Sequence, residues 1–257
     1  MKNLFILFSF ILIHFSINTN TKHVIVNENI EIQINSTKTV DKLTPYITKD
    51  FVLGKFDYKQ DSTFVKVNFK HSTKEVYLKN EVYTAFVSML NSAKNAGIEL
   101  KIISGTRNFK EQETIWERKW NRYKNLTPIA RALKILEYSS MPCTSRHHWG
   151  TDIDLNSLNN SYFNSGKGLA EYNWLITHAN SFGFHQVYTE KNKNRTGYNL
   201  EKWHWSYLPL ASKYLEFYNS KIESIYINGF KGSELVEDLN IIEDYVNGVS
   251  DKVKNYK

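Results

Sequence analysis

The chain has a single cysteine, Cys143, which excludes an intrachain disulfide framework and any cysteine-rich structural zinc site. It has four prolines, no internal repeat and no Pro- or Gly/Ser-rich stretch, so no flexible linker divides it. It also lacks any block of like charge. Lys+Arg number 33 against 26 Asp+Glu, a net +7, but the excess is scattered. Lys110, Arg118 and Lys119, for example, alternate with Glu111, Glu113 and Glu117, which reads as a solvated surface rather than a nucleic-acid-binding stripe. Long apolar runs are absent after Ile17, so no later segment is expected to span a membrane.

What is present supports a core. At 41% hydrophobic and 14% aromatic, the composition excludes wholesale disorder, and 257 residues suit one large domain or a domain with appendages. The first residues, Met-Lys-Asn followed by an apolar run from Leu4 to Ile17, fit an export signal ending near residue 20. A span would need about 20 apolar residues, and without a local cysteine a lipoprotein anchor is excluded. The expected address is therefore exported, periplasmic or extracellular.

Periodicity organises the middle of the chain. Thr63–Phe69 alternates as a half-buried strand with Val65, Val67 and Phe69 on one side. Apolar residues recur at helical spacing over Lys79–Ala96, stopped by Gly97, and Ile98–Ser104 is a short strand. Helices are expected over Phe109–Tyr123, Ile129–Glu137 and Leu169–Phe182, with a loop over Ser139–Gly150. Phe184–Tyr188 and Trp203–Tyr207 read as strands. Pro209 opens another helix, and Ser233–Asn247 reads as a last amphipathic one, with Leu235, Leu239, Ile242 and Val246 on its apolar face. Short strands mixed with helices point to an α+β fold: a small antiparallel or mixed central sheet with surrounding helices.

Two segments carry chemistry. Ser145-Arg-His147-His-Trp-Gly150-Thr-Asp152-Ile-Asp154 places an imidazole before a glycine turn and carboxylates on the following strand. Strand alternation turns Ile153 and Leu155 one way and Asp152 and Asp154 the other, which leaves open which aspartate faces the site. The second segment, Glu201-Lys-Trp-His204-Trp205, sets a carboxylate three positions before an imidazole. Two histidines and one aspartate suit Zn²⁺, and three protein ligands leave a coordination position open for water. Glu201 is the natural acceptor for a proton from that water.

These segments resemble the VanY-type zinc D-alanyl-D-alanine carboxypeptidases, whose pattern is Ser-x-His-x6-Asp followed by Glu-x-x-His. Ser104-Gly-Thr-Arg107 and Gln112 match the upstream part of that pattern, and the likeness runs from Tyr77 to Pro209. The resemblance implies one zinc ion at the sheet held by His147, Asp154 and His204, with Glu201 as general base and then acid. It implies that Arg107 meets the oxyanion or the substrate carboxylate, and that Ser145 and Gln112 are further substrate contacts. Three departures are visible. Asp152 stands where alanine is usual, either to orient His147 or Arg107 or only to change substrate choice; Lys202 replaces a common proline; and the arginine often preceding Tyr188 is missing.

The division then expected is a signal over 1–20, an N-terminal extension over 21–76, the zinc domain over 77–209 and a C-terminal helical extension over 210–257 packed on it. The expected activity is hydrolysis of a peptide bond in peptidoglycan stem peptides, removing a C-terminal D-alanine, by a monomer with no nucleic-acid partner. An endopeptidase or L,D-carboxypeptidase on the same scaffold, or a non-catalytic zinc-containing wall-binding module, are the rivals. Cys143 as a nucleophile is a weaker one, since no orienting pattern accompanies it.

Overall fold

The structure, a computed structural model, describes residues 47–191 and 195–256. The expected export segment lies outside the described residues. No helix among the described residues is long and apolar enough to cross a membrane.

The centre is a four-stranded sheet of β3 (Ile102–Ser104), β4 (Asp152–Leu155), β5 (Phe184–Gln186) and β6 (His204–Tyr207), in the order β3-β4-β6-β5. Every neighbouring pair is antiparallel. A separate hairpin joins β1 (Phe64–Lys66) to β2 (Tyr77–Lys79). The architecture is thus the expected α+β, with the four strands antiparallel and one isolated parallel bridge from Ser72 to Ile102.

Alternation gives the sheet two unlike faces. Ile102, Ile153, Leu155 and Trp205 enter a core closed by α2 (Asn80–Asn95) and α5 (Gly166–His178). In α2 that core takes Val82, Phe86, Met89 and Ala93, which helical spacing places on one stripe. The opposite face carries Asp152, Asp154, His204 and Ser206. Beyond it lies a second core, to which α3 (Phe109–Arg122) gives Trp116 and Trp120, α4 (Pro128–Leu136) gives Ile135 and Leu136, and α6 (Leu208–Lys221) gives Tyr214 and Tyr218. α3 begins on a capping box: Asn108 accepts from the Glu111 backbone N–H while the Glu111 carboxylate accepts from that of Asn108. The site forms between this helix and the polar face of the sheet.

Several sequence expectations change. The strand expected over Thr63–Phe69 lasts only three residues, because Asn68 turns the chain: its side chain accepts from the Lys70 N–H. Phe64 and Val67 are buried, and Phe69 is left 61% exposed. The helix expected over Ser233–Asn247 is broken into a 3-10 turn, Ser233–Leu235, and a π-helical turn, Ile242–Val246. Asn240 sits between them at φ 47, a left-handed conformation that no α-helix accommodates. Its apolar residues still pack: Leu235 and Val246 are buried in the second core, and Leu239 and Ile242 lie against it.

The segment Arg146–Trp149, expected as loop, forms a tight 3-10 turn that ends on Gly150 at φ 71. A Cβ at Gly150 would lie 2.3 Å from Phe64 Cε1. Left-handed strain and overpacking add, so Gly150→Ala should cost about 2–4 kcal/mol. A urea midpoint equal to that of the unaltered protein would refute this account of the turn.

Candidate active site

Sheet register brings the distant motifs together. Asp154 on β4 lies directly opposite His204 on β6, and Asp152 opposite Ser206. On the other side, a bulge in β3 shifts the pairing so that Ile102 faces Leu155 but Ser104 faces Asp154. The extra residue turns Ser104 away from the apolar face and toward the aspartate.

His147 arrives from the 3-10 turn. Its Nδ1 lies 2.8 Å from the Gly105 carbonyl oxygen, which can only accept, so Nδ1 carries the proton and Nε2 presents a lone pair 3.5 Å from Asp154 Oδ2. Its neighbour His148 makes the matching contact, Nδ1 to the Arg107 carbonyl at 2.7 Å, and the Arg107 N–H donates to the His147 carbonyl. Two consecutive imidazoles thereby tie the turn to the 104–107 segment.

His204 is oriented from behind. Its Nε2 lies 2.9 Å from Asp152 Oδ1, leaving Nδ1 to face Asp154 Oδ1 at 3.4 Å and Glu201 Oε2 at 3.3 Å. Asp152 is fully buried and saturated: it also accepts from Arg146 Nε, from Ser206 and from Thr151. Ligand atoms of His147, Asp154 and His204 all lie within 4.8 Å of one another, and Asp154 Oδ1, though buried, makes no hydrogen bond among the described residues. Two imidazole lone pairs and an unpartnered carboxylate oxygen form a donor set that fits a divalent ion such as zinc.

The electrostatics agree with a cation-seeking site. Burial works against a charged His204, but Asp152, Asp154 and Glu201 outweigh it and push the imidazole well above its ordinary value. Burial also opposes ionisation of Asp152 and Asp154. Arg146 and His204 hold the first well below the usual carboxylate range, and His147 and His204 hold the second there. Glu201 behaves differently: burial raises it, with His204 only partly compensating. Two carboxylates are thus kept ionised while a third is tuned upward.

The polar face opens into a cleft of about 610 Å³ that is lined by His147, Asp154, His204 and Glu201. Arg107 lines it too, held by Nε to Gln112 Oε1 at 2.9 Å and by a terminal nitrogen to Ser104 Oγ at 2.6 Å. Gln112 lines the cleft and donates to the Ser140 carbonyl. Ser145 is buried, with an Oγ that has no partner among the described residues, and is not among the lining residues. Asp152 touches neither Arg107 nor His147 through a hydrogen bond; the imidazole it orients is His204. Of the tryptophans flanking His204, Trp205 enters the core, while Trp203 lines the cleft beside Tyr138. Cys143 is buried, and burial pushes its thiol up to about 11, which removes it as a nucleophile near neutral pH.

Sequence reasoning missed Arg146 and His148, although both stand inside the first motif and an arginine in the same short motif as an extra aspartate is a signal of pairing. It also missed Tyr188, whose ring lies edge-on to His204 at 4.8 Å between centroids. Lys119, read as surface, lines the cleft.

Residues 75–210 match the family model described as VanY, D-alanyl-D-alanine carboxypeptidase. YodJ of Bacillus subtilis (strain 168), a protein named as a carboxypeptidase, is 27% identical over 146 residues, covering 56% of this chain and 51% of its own. The chain therefore spans about half the length of that curated relative. Among solved structures, a vancomycin-resistance D,D-pentapeptidase VanY variant in complex with Zn(II) is 21% identical at a TM-score of 0.48, covering 70% of this chain and 93% of its own. The LD-carboxypeptidase LdcB is 22% identical at a TM-score of 0.49, covering 77% and 81%. The family match takes in more than half of the chain and holds both motifs, and on that basis the chain belongs to the VanY family of D-alanyl-D-alanine carboxypeptidases.

Proposed function

We propose that this protein is a zinc-dependent peptidase that removes a C-terminal D-alanine from peptidoglycan stem peptides, acting as a monomer with one ion. The observation that carries the reading is Glu201: a buried carboxylate, raised above its ordinary value, 3.3 Å from the outward nitrogen of His204. A structural carboxylate in such a place would be expected to be held down by partners, as Asp152 is. A carboxylate raised above its ordinary value is a stronger base than a free one.

His147 Nε2, Asp154 and His204 Nδ1 would hold the zinc, which when bound supplies Lewis acidity and acidifies a water molecule. The chain supplies the rest. Glu201 accepts the proton at a carboxylate oxygen and returns it to the leaving amine. Arg107, clamped by Gln112 and Ser104, presents its guanidinium to the oxygen on which charge develops. Asp152 keeps the His204 proton on Nε2 and so leaves the Nδ1 lone pair on the side of Asp154 and Glu201, where it would be free to bind an ion. The retention of Glu201 and Arg107 in one cleft disfavours a wall-binding module without turnover. The substrate implies the cell envelope as the place of action, in keeping with the apolar run Leu4–Ile17.

Glu201→Gln should lower turnover of a D-alanyl-D-alanine stem peptide by about 10²–10⁴-fold and leave zinc bound. Near-normal hydrolysis by that variant would end the assignment. His147→Ala and His204→Ala should each lose the metal, as read by elemental analysis after gel filtration; one equivalent of zinc retained by either would remove that residue from the ligand set. Asp152→Ala should weaken zinc affinity by about 10–100-fold and, by stranding Arg146 without its counter-charge, cost about 3–5 kcal/mol of stability. Asp152→Asn keeps an acceptor for His204 and should recover much of the affinity in a competitive chelator titration, a recovery that would not occur if Asp152 served the fold alone.

A further inference from the structure

The cleft is electrically divided. Asp154 and Glu201 lie on the side of the sheet, whereas Arg107, Arg118 and Lys119 belong to α3 and the segment leading into it. Gln112, Ile115 and Lys119 fall at i, i+3 and i+7 of that helix, so one stripe of it forms the wall. Arg107 is engaged by Gln112, Ser104 and, at 4.0 Å, Asp154.

Lys119 is not neutralised in this way. Its Nζ donates to Ser139 Oγ at 2.5 Å, a neutral acceptor, and it forms no salt bridge among the described residues. The side chain is partly buried, and burial pulls its ammonium below the ordinary lysine value, with Glu201 the main charge opposing the shift. A partly desolvated cation facing a cleft, with two of its three donor positions free among the described residues, is a receptor for an anion. The neighbouring Arg118 adds positive potential at the same wall.

We propose that Lys119 is the subsite that receives a carboxylate of the substrate, in the cleft that it shares with the metal ligands and Glu201. The inference rests on the peptidase reading above and deepens it. A peptide whose scissile carbonyl lies at the sheet has to lodge any nearby carboxylate against the facing wall, and Lys119 with Ser139 offers it a cation and a hydroxyl. The carboxylate has two possible sources, the free C-terminus of the departing residue or an acidic group farther back in the stem.

Three synthetic stem peptides ending in D-alanyl-D-alanine separate these sources: one with every carboxylate free, one amidated at the C-terminus and one amidated at the internal acidic residue. Binding to zinc-loaded Glu201→Gln protein, read by calorimetry, avoids turnover altogether. The free acid should bind about 10- to 100-fold tighter than one of the two amides, and the amide that loses affinity identifies the source. In the Lys119→Met, Glu201→Gln double variant that ratio should fall to about one, and in Lys119→Arg, Glu201→Gln it should persist. A ratio near one with Lys119 present, a ratio unchanged by Lys119→Met, or no binding of any peptide overturns the subsite. Hydrolysis of the free acid by the zinc-loaded, otherwise unaltered protein is scored separately. If it fails while the binding ratio holds, the peptidase reading falls and the carboxylate subsite stands.

Discussion

The site depends on the register between β4 and β6. Because Asp154 faces His204 across one antiparallel pair, two residues far apart in sequence are neighbours by backbone hydrogen bonding alone. A slip of one residue would turn the aspartates and His204 to opposite faces, and would expose Ile153 while burying charge among Phe86, Met89 and Trp174. The apolar face therefore enforces the geometry of the polar one. The bulge in β3 extends the same logic, since without it Ser104 would share the apolar side with Ile102 and could not clamp Arg107.

A sheet face carrying Asp152, Asp154 and, nearby, Glu201 is self-repulsive, and its neutralisation is specific. Arg146 lies beneath the site, buried, with Nε on Asp152 and another nitrogen on Ser206. Buried ion pairs of this kind add little net stability, but removing one partner is costly. That asymmetry accounts for the departure from the family pattern at Asp152: the extra carboxylate belongs with Arg146, and the pair supports His204 from the side away from the cleft. Neither residue would be tolerable alone. Together they fix an imidazole tautomer that a free side chain would not hold.

Much of this was legible in the sequence, for identifiable reasons. Alternation in Asp152–Leu155 announced a strand with one apolar and one acidic face, and both faces are where alternation put them. Helical spacing from Val82 to Ala93 and the stop at Gly97 were equally plain. What escaped were features decided by tertiary contact. The apolar spacing of 233–247 looked helical because it packs on one core, but Asn240 adopts φ 47 and divides it. Ser145 fell in the motif, yet the 3-10 turn buries its hydroxyl away from the cleft. Lys119 sat among glutamates in a mixed-charge helix, and only the docking of α3 on its tryptophan side reveals that the lysine faces inward.

The two walls of the cleft act on a substrate in different ways. The sheet side is rigid: strand pairing, the Gly105 and Arg107 carbonyls holding His147 and His148, and Asp152 behind His204 leave those rings little freedom. Such rigidity suits groups that must meet a reacting carbonyl without reorganising. The α3 side presents longer side chains, Arg118 and Lys119, suited to collecting charge from a flexible peptide tail. Glu201 stands where these demands meet, close to His204 and felt by Lys119. Rigid ligands on one side and long cationic side chains on the other therefore meet around one buried carboxylate.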